Sequence, residues 1–416
     1  MPRASLFTTT LAAFALMAAA AAGSAAATPA YVPGELVVKR DGAATTTVAV
    51  PDGESVKAAA ARLSDRPGVA YARPNYIARA TAYMPNDPSF PLQWNLATSP
   101  AGINMPDAWE AARQLGLPGG RGAVVAVLDT GVAYQRFRRF RRAPDLDRFV
   151  RGYDFVAGDG HPNDQNKHGT HVAGTIAQST GNGIGAAGIA YAARIMPVRV
   201  LDSSGAGDTL AISRGIRFAA RHGADVINLS LEFDAAVRAA QIPDIVSALR
   251  YARRRGAIVV AAAGNQGSPQ VAYPARARHV VAVAATTARG CQAEYSNSGV
   301  HVDIAAPGGG IDAANTDTPY DVAVCRPDVR GEFIYQQTFT NSVARFGIPP
   351  GFEGTSMAAP HVSGVAALLI GSRRLGRSPS PAAVEKRLKS TARDIGSAGW
   401  DPRYGWGLLD AAAALR

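Results

Sequence analysis

Six short, mostly apolar runs decide what this 416-residue chain can fold into. They lie at 123–128, 194–200, 225–231, 258–263, 280–285 and 302–305, and are rich in Val, Ile, Leu and Ala. A strand with one face in water alternates apolar and polar residues, whereas a strand covered on both faces need not. Helical stretches at 107–114, 168–178, 209–222, 243–255, 356–370 and 381–391 separate and follow these runs. Strands alternating with helices predict an α/β fold, a doubly wound and mainly parallel sheet with helices on both faces. Ligands of such sheets bind beyond the carboxyl ends of the strands. Polar residues that end the runs are therefore the first candidates for function.

Asp129 ends the first run, and Asn265 follows the fourth in Ala263-Gly264-Asn265. Two further segments carry reactive side chains. His168 stands in Asn166-Lys167-His168-Gly169-Thr170-His171, and Ser356 in Gly354-Thr355-Ser356-Met357-Ala358-Ala359-Pro360-His361. Each has an ordinary reading: Asp129 and Ser356 as helix caps, His168 as a packed histidine, Asn265 as a turn residue. A serine hydroxyl becomes a useful nucleophile only beside an imidazole that takes its proton and a carboxylate that holds the imidazole. The chain supplies all three types in the order Asp, His, Ser.

These segments resemble the signature motifs of the subtilases, the subtilisin-like serine endopeptidases. The resemblance covers about Tyr83 to Arg416. It starts at Tyr83-Met84-Pro85-Asn86-Asp87-Pro88, similar to a thermitase-type mature start, and closes at Tyr404-Gly405-Trp406-Gly407-Leu408-Leu409-Asp410-Ala411. It implies acyl-enzyme hydrolysis of peptide bonds by Asp129, His168 and Ser356, with the Asn265 side chain donating to the oxyanion. It also implies that a substrate strand lies beside Leu229-Ser230-Leu231. Ala263 and Gly264 would wall the pocket for the residue before the scissile bond (P1), with Ala272 at its base. Glu232 and Phe233 stand where the family usually has glycines. Medium or large apolar P1 residues are expected, with Glu232 either adding tolerance of basic ones or sitting in solvent at a strand end. Lys167 replaces a common glycine and is expected to lower the His168 pKa slightly.

The loop Thr180-Gly181-Asn182-Gly183-Ile184-Gly185-Ala186 is similar to the subtilase calcium loop. The resemblance implies a structural Ca2+ held by Asp87, Asp145, the Asn182 side chain and the carbonyls of Thr180, Ile184 and Ala186. A second cluster, Asp154, Asp159, Asp164 and Asn166, is expected to cap the helix that begins at His168.

The N-terminal region reads differently. Arg3 precedes an apolar run from Leu11 to Ala22 and the small residues Ala25-Ala26-Ala27, the pattern of a secretory signal over residues 1–27. Residues 28–82 resemble the inhibitor propeptide of subtilases, with strands at 35–38 and 46–50, a helix at 55–63 and then the segment Val69-Ala70-Tyr71-Ala72-Arg73-Pro74-Asn75-Tyr76. Self-cleavage would fall near Ala80 to Ala82, leaving a peptidase domain at 83–416. Export to an oxidising compartment would allow Cys291 and Cys325, the two cysteines present, to pair. The net charge is +11, with a concentration in Arg136-Phe137-Arg138-Arg139-Phe140-Arg141-Arg142. That run is expected to be a solvated loop, since no nucleic-acid-binding motif accompanies it. A secreted monomer is expected, with protein or peptide substrates, its own propeptide as inhibitor, no nucleic-acid partner and no membrane anchor.

Overall fold

The computed structural model describes residues 31–51, 53–76 and 83–416. The expected signal segment and the expected cleavage region at 80–82 lie outside them. The chain divides into two compact units, Met1–Thr81 and Ala82–Arg416.

The first unit is a small α+β structure. Strands β1 (Tyr31–Arg40), β2 (Thr46–Ala49) and β3 (Val69–Tyr76) form an antiparallel sheet in the order β2-β1-β3, with α1 (Val56–Ser64) beside it. Leu36, Val38, Ala59, Ala60 and Ala72 make its small core. Ser55 caps α1, its side chain accepting from the Ala58 N–H.

The second unit contains α2 (Met105–Gln114), β4 (Val124–Asp129), β5 (Tyr153–Asp154), α3 (His168–Ala177), β6 (Arg194–Arg199), α4 (Thr209–Arg221), β7 (Val226–Leu229), α5 (Pro243–Arg254), β8 (Ile258–Ala262), β9 (Val280–Thr286), β10 (Ile304–Pro307), α6 (Pro319–Val324), β11 (Thr338–Phe339), β12 (Phe346–Gly347), α7 (Thr355–Gly371), α8 (Pro381–Ser390) and α9 (Ala411–Leu415). Seven strands form one sheet, in the order β10-β9-β8-β7-β4-β6-β5. Every pairing in it is parallel. Each of the six predicted runs is a strand, with ends within two residues of the reading.

Alternate residues of each strand go to opposite faces, and the two faces have separate cores. Val125, Val127 and Val260 join the core that includes α3 and α7. Ala126, Leu128, Val259 and Ala261 join the core that includes α4 and α5. Both faces are dry, and the missing alternation in the sequence is the signature of this. β4 pairs with β6 on one side and β7 on the other, so the chain reverses its direction of growth there. The carboxyl ends of β4 and β7 flank that switch point, where doubly wound sheets bind ligands.

Helix α7 is buried along most of its length. The ordinary reading of Ser356 as its cap does not hold. Ser356 does not cap it: Gly354 holds the cap position with φ 141°, a conformation that favours glycine, and Ser356 is the second helical residue. Pro360 lies in its interior. The short β5, α6, α9 and the β11–β12 hairpin were not anticipated from sequence.

Candidate active site

Asp129 is carried to the switch point by the end of β4, and His168 by the first residue of α3. The His168 Nδ1 lies 2.8 Å from Asp129 Oδ1. That same oxygen accepts the Thr130 N–H at 2.7 Å. Asp129 is wholly buried, while the histidine side chain keeps 26 % of its surface exposed, so a substrate can reach it. Beneath the pair lies the buried Asp164. It accepts hydrogen bonds from the Thr130 and Thr170 hydroxyls and from the N–H groups of Asn166, Lys167 and Thr170. Asp164 thus caps α3, as expected. Asp154 instead pairs with Arg199 at 2.9 Å.

Burial alone would lower the His168 pKa. The charge and hydrogen bond of Asp129, with the Asp164 charge behind, outweigh it and hold the imidazole above its ordinary value. The lowering expected from Lys167 is not found: the imidazole is raised, and the two carboxylates are the cause. His171, on the same helix, is a packed residue. Its Nε2 lies 3.0 Å from the Ile334 carbonyl, its ring stacks on Phe352, and burial pushes its pKa down to about 3.

Ser356 faces the same cavity as His168 and Asn265, a cleft of about 570 Å³. Its Oγ donates to the Ser230 carbonyl at 3.2 Å and forms no hydrogen bond with His168. The Asn265 amide is fixed by its oxygen, which accepts the Thr355 N–H at 2.8 Å and the Thr355 hydroxyl at 2.9 Å. Its Nδ2 is left as the donor. A Cβ built on Gly354 would lie 3.5 Å from Asn265 Oδ1, 3.7 Å from the Ser356 N and 3.8 Å from Asn265 Nδ2. The Ser356 N–H and the Asn265 Nδ2, which also lies 3.5 Å from Glu232 Oε1, thus lie near one point beside the serine. That is the arrangement needed to receive a developing oxyanion.

The expected substrate residues divide. Ser230, Leu231 and Glu232 line the cavity, and Phe233 does too. Leu229, Ala263, Gly264 and Ala272 are buried and lie outside its lining. The Ala272 N–H donates to the Ala263 carbonyl at 2.8 Å, so these two adjoin. The reading of Glu232 as a solvated charge is overturned. It is half-buried, and its Oε2 accepts the Asn265 N–H at 2.8 Å.

Asp87 and Asp145 meet the loop 180–186. The Gly181 N–H donates to Asp87 at 2.7 Å, and Asn182 Nδ2 to Asp145 at 2.6 Å. Burial raises the Asp145 pKa to about 6; the Gln178 and Asn182 amides oppose this, and the Asp87 and Asp147 charges add to it. Among the described residues, the carbonyls of Thr180, Ile184 and Ala186 accept no hydrogen bond. Two neighbouring carboxylates and free carbonyl oxygens fit a hard cation that prefers oxygen ligands. No group of three or more His, Cys, Asp or Glu suited to a metal occurs among the described residues, so carbonyl and amide oxygens would have to complete such a site.

Cys291 and Cys325 are joined in a disulfide that spans 34 residues. In the basic run, Phe137 stacks on His161 with ring centroids 3.8 Å apart, and the Arg138 and Arg139 guanidiniums lie over Phe137 and Phe140.

The fold and the site together define a serine hydrolase built on a doubly wound parallel sheet. A family model described as the subtilase family matches residues 120–407. The chain is 35% identical over 403 residues to the thermophilic serine proteinase of Bacillus sp. (strain AK1), covering 90% of this chain and 86% of that protein. It is 37% identical over 318 residues to thermitase of Thermoactinomyces vulgaris, covering 76% of this chain and 94% of that one. Among solved structures it resembles a protease from Pseudoalteromonas arctica PAMC 21717, with a TM-score of 0.65 and 34% identity over 80% of this chain and 99% of that one. The chain belongs to the subtilase family, and it is a serine endopeptidase.

Proposed function

We propose that the chain is a secreted zymogen whose peptidase domain, residues 83–416, cleaves peptide bonds through an acyl-enzyme on Ser356. The observation that carries this reading is the meeting of His168, Asn265 and Ser356 on one cavity, with Asp129 bonded behind the histidine. The Ser356 hydroxyl turns from the Ser230 carbonyl to His168 Nε2, gives up its proton and attacks the substrate carbonyl. Asp129 holds the Nδ1–H tautomer and stabilises the imidazolium. Asn265 Nδ2 and the Ser356 N–H receive the oxyanion. Protonated His168 then donates to the leaving amine, and water, activated by the same histidine, releases the acyl group.

Residues 1–27 serve as the export signal and 28–82 as the inhibitor, cut by the enzyme itself near Ala80 to Ala82. No described helix is long and apolar enough to cross a membrane. The loop 180–186, with Asp87 and Asp145, holds a structural Ca2+, which would supply positive charge that ties the loop to the mature N-terminal segment. The active species is a monomer with protein or peptide substrates.

The test is the secreted product of the wild type and of Ser356→Ala, assayed on casein and sequenced at its N-terminus. The wild type is expected to hydrolyse casein and to begin near residue 83. The variant is expected to keep its propeptide and to be inactive. Casein hydrolysis by the Ser356→Ala protein would overturn the assignment.

A further inference from the structure

Glu232 occupies a position that a solvated residue would not. One carboxylate oxygen takes the Asn265 backbone N–H, and the other lies 3.5 Å from Asn265 Nδ2. The carboxylate packs against Gly264, where any Cβ would collide with it. The amide that it leans on is the one assigned to the oxyanion. An anion held there opposes a second negative charge forming on the neighbouring substrate carbonyl. The cleft itself is acidic: apart from His168, its charged lining residues are Glu232 and Asp234, and no lysine or arginine lines it among the described residues. This stands against a chain whose net charge is +11.

Against the apolar P1 preference that the resemblance implies, we propose that Glu232 is a specificity-determining residue that accepts a cationic side chain at P1 and thereby releases Asn265 to the oxyanion. The proposal rests on the site assignment made above. A P1 lysine or arginine forms an ion pair with the carboxylate, draws it off Asn265 Nδ2 and cancels its charge beside the reacting carbonyl. A neutral P1 residue leaves carboxylate and amide together. Selectivity then falls mainly on kcat, because the gain is made as the oxyanion forms and not when the substrate docks. Burial, the first cause, and the Asp234 charge both push the Glu232 pKa up, while the two Asn265 donors pull it down. A carboxylate so placed has more to gain from a cation than one in water.

The test uses peptides that differ only at P1, lysine against its uncharged isostere norleucine, on the wild type, Glu232→Gln and Glu232→Gly. A fluorophosphonate that labels activated serines counts the competent sites in each preparation. The wild type is expected to favour lysine by about tenfold or more in kcat/KM, chiefly through kcat. Glu232→Gly is expected to bring that ratio within about twofold of unity and to raise kcat on the norleucine peptide. Glu232→Gln should remove the preference without emptying the space. Labelled variants that keep the wild-type ratio overturn this proposal alone, as does a wild type that shows no preference for lysine. Wild-type protein that is not labelled at Ser356 overturns the site assignment and this proposal with it.

Discussion

Ser230 and Ser356 hold each other by two opposed hydrogen bonds: the Ser230 hydroxyl donates to the Ser356 carbonyl at 2.8 Å, and the Ser356 hydroxyl donates to the Ser230 carbonyl at 3.2 Å. The first bond answers a vacancy made by the sequence. In α7 the Ser356 carbonyl would normally take the N–H four residues on, but that residue is Pro360, which has none. Ser230 Oγ in turn accepts from Asn228 Nδ2 at 2.9 Å, and Asn228 Oδ1 accepts from the Ser363 hydroxyl at 2.8 Å. A proline inside the helix thus hands the serine backbone to a polar chain rooted in β7.

That linkage predicts a coupled pair of mutations. Ser230→Ala is expected to lower stability by about 1–2 kcal/mol, since the Ser356 carbonyl loses its partner. In a Pro360→Ala background, the restored helical N–H meets that carbonyl, and the loss should shrink to less than half. Urea denaturation of the four proteins in a double-mutant cycle measures this. Equal losses in both backgrounds would show that the carbonyl is not the group that matters.

His168 sets the pH dependence. Its pKa is held above the ordinary value, and catalysis needs the neutral imidazole. The rise of kcat/KM with pH is therefore expected above about 6.5, not below it. The linkage to stability has the opposite slope. A raised pKa means that the folded state favours the proton, so this contribution is complete below the ordinary value and is lost as pH climbs through the raised one. Asp164→Asn removes one of the two negative charges responsible and should move the kinetic inflection towards acid. An inflection that stays put in this variant would mean that Asp164 only caps the helix.

Lys167 is strained. It takes φ 104° at the start of α3, where a side chain is disfavoured. Such a residue costs about 1–3 kcal/mol, against about 0.5–1 kcal/mol of extra chain entropy lost by glycine. Lys167→Gly is expected to stabilise by about 1 kcal/mol, whereas Lys167→Ala, which keeps the Cβ, should change little. Thermal melts of the three proteins compare them; a melting temperature that rises for alanine as much as for glycine would point to charge and not to strain.

How much of this was legible in the sequence depends on how local each signal is. Strands β4 and β6–β10 could be read because burial on both faces leaves uninterrupted apolar runs. The two-residue β5 and six-residue α6 are too short to show any period. Asp129, His168, Asn265 and Ser356 stood out by type and by their place at element ends. The cap of α7 was not legible because Gly354 caps without a side chain. Glu232 showed only as a departure from glycine. Its partner Asn265 lies 33 residues away, a distance over which no local pattern speaks.

The loop 180–186 gives a last prediction that does not depend on activity. Asp87 and Asp145 are bonded to this loop at the Gly181 N–H and the Asn182 amide, the carbonyls of Thr180, Ile184 and Ala186 accept no hydrogen bond among the described residues, and the Asp145 carboxyl is raised by burial with only amide donors to relieve it. A cation bound there would stabilise the folded chain alone, by about 2.7 kcal/mol at a hundred times its Kd. EDTA is therefore expected to lower the melting temperature. Ca2+ should restore it better than Mg2+, because an irregular carbonyl loop suits the larger and less demanding ion. Asp145→Asn should melt lower to begin with and respond little to either treatment. A wild-type melting temperature unmoved by EDTA would remove the ion from this loop and leave the amide contacts of Asn182 and Gln178 as what holds Asp145 in place.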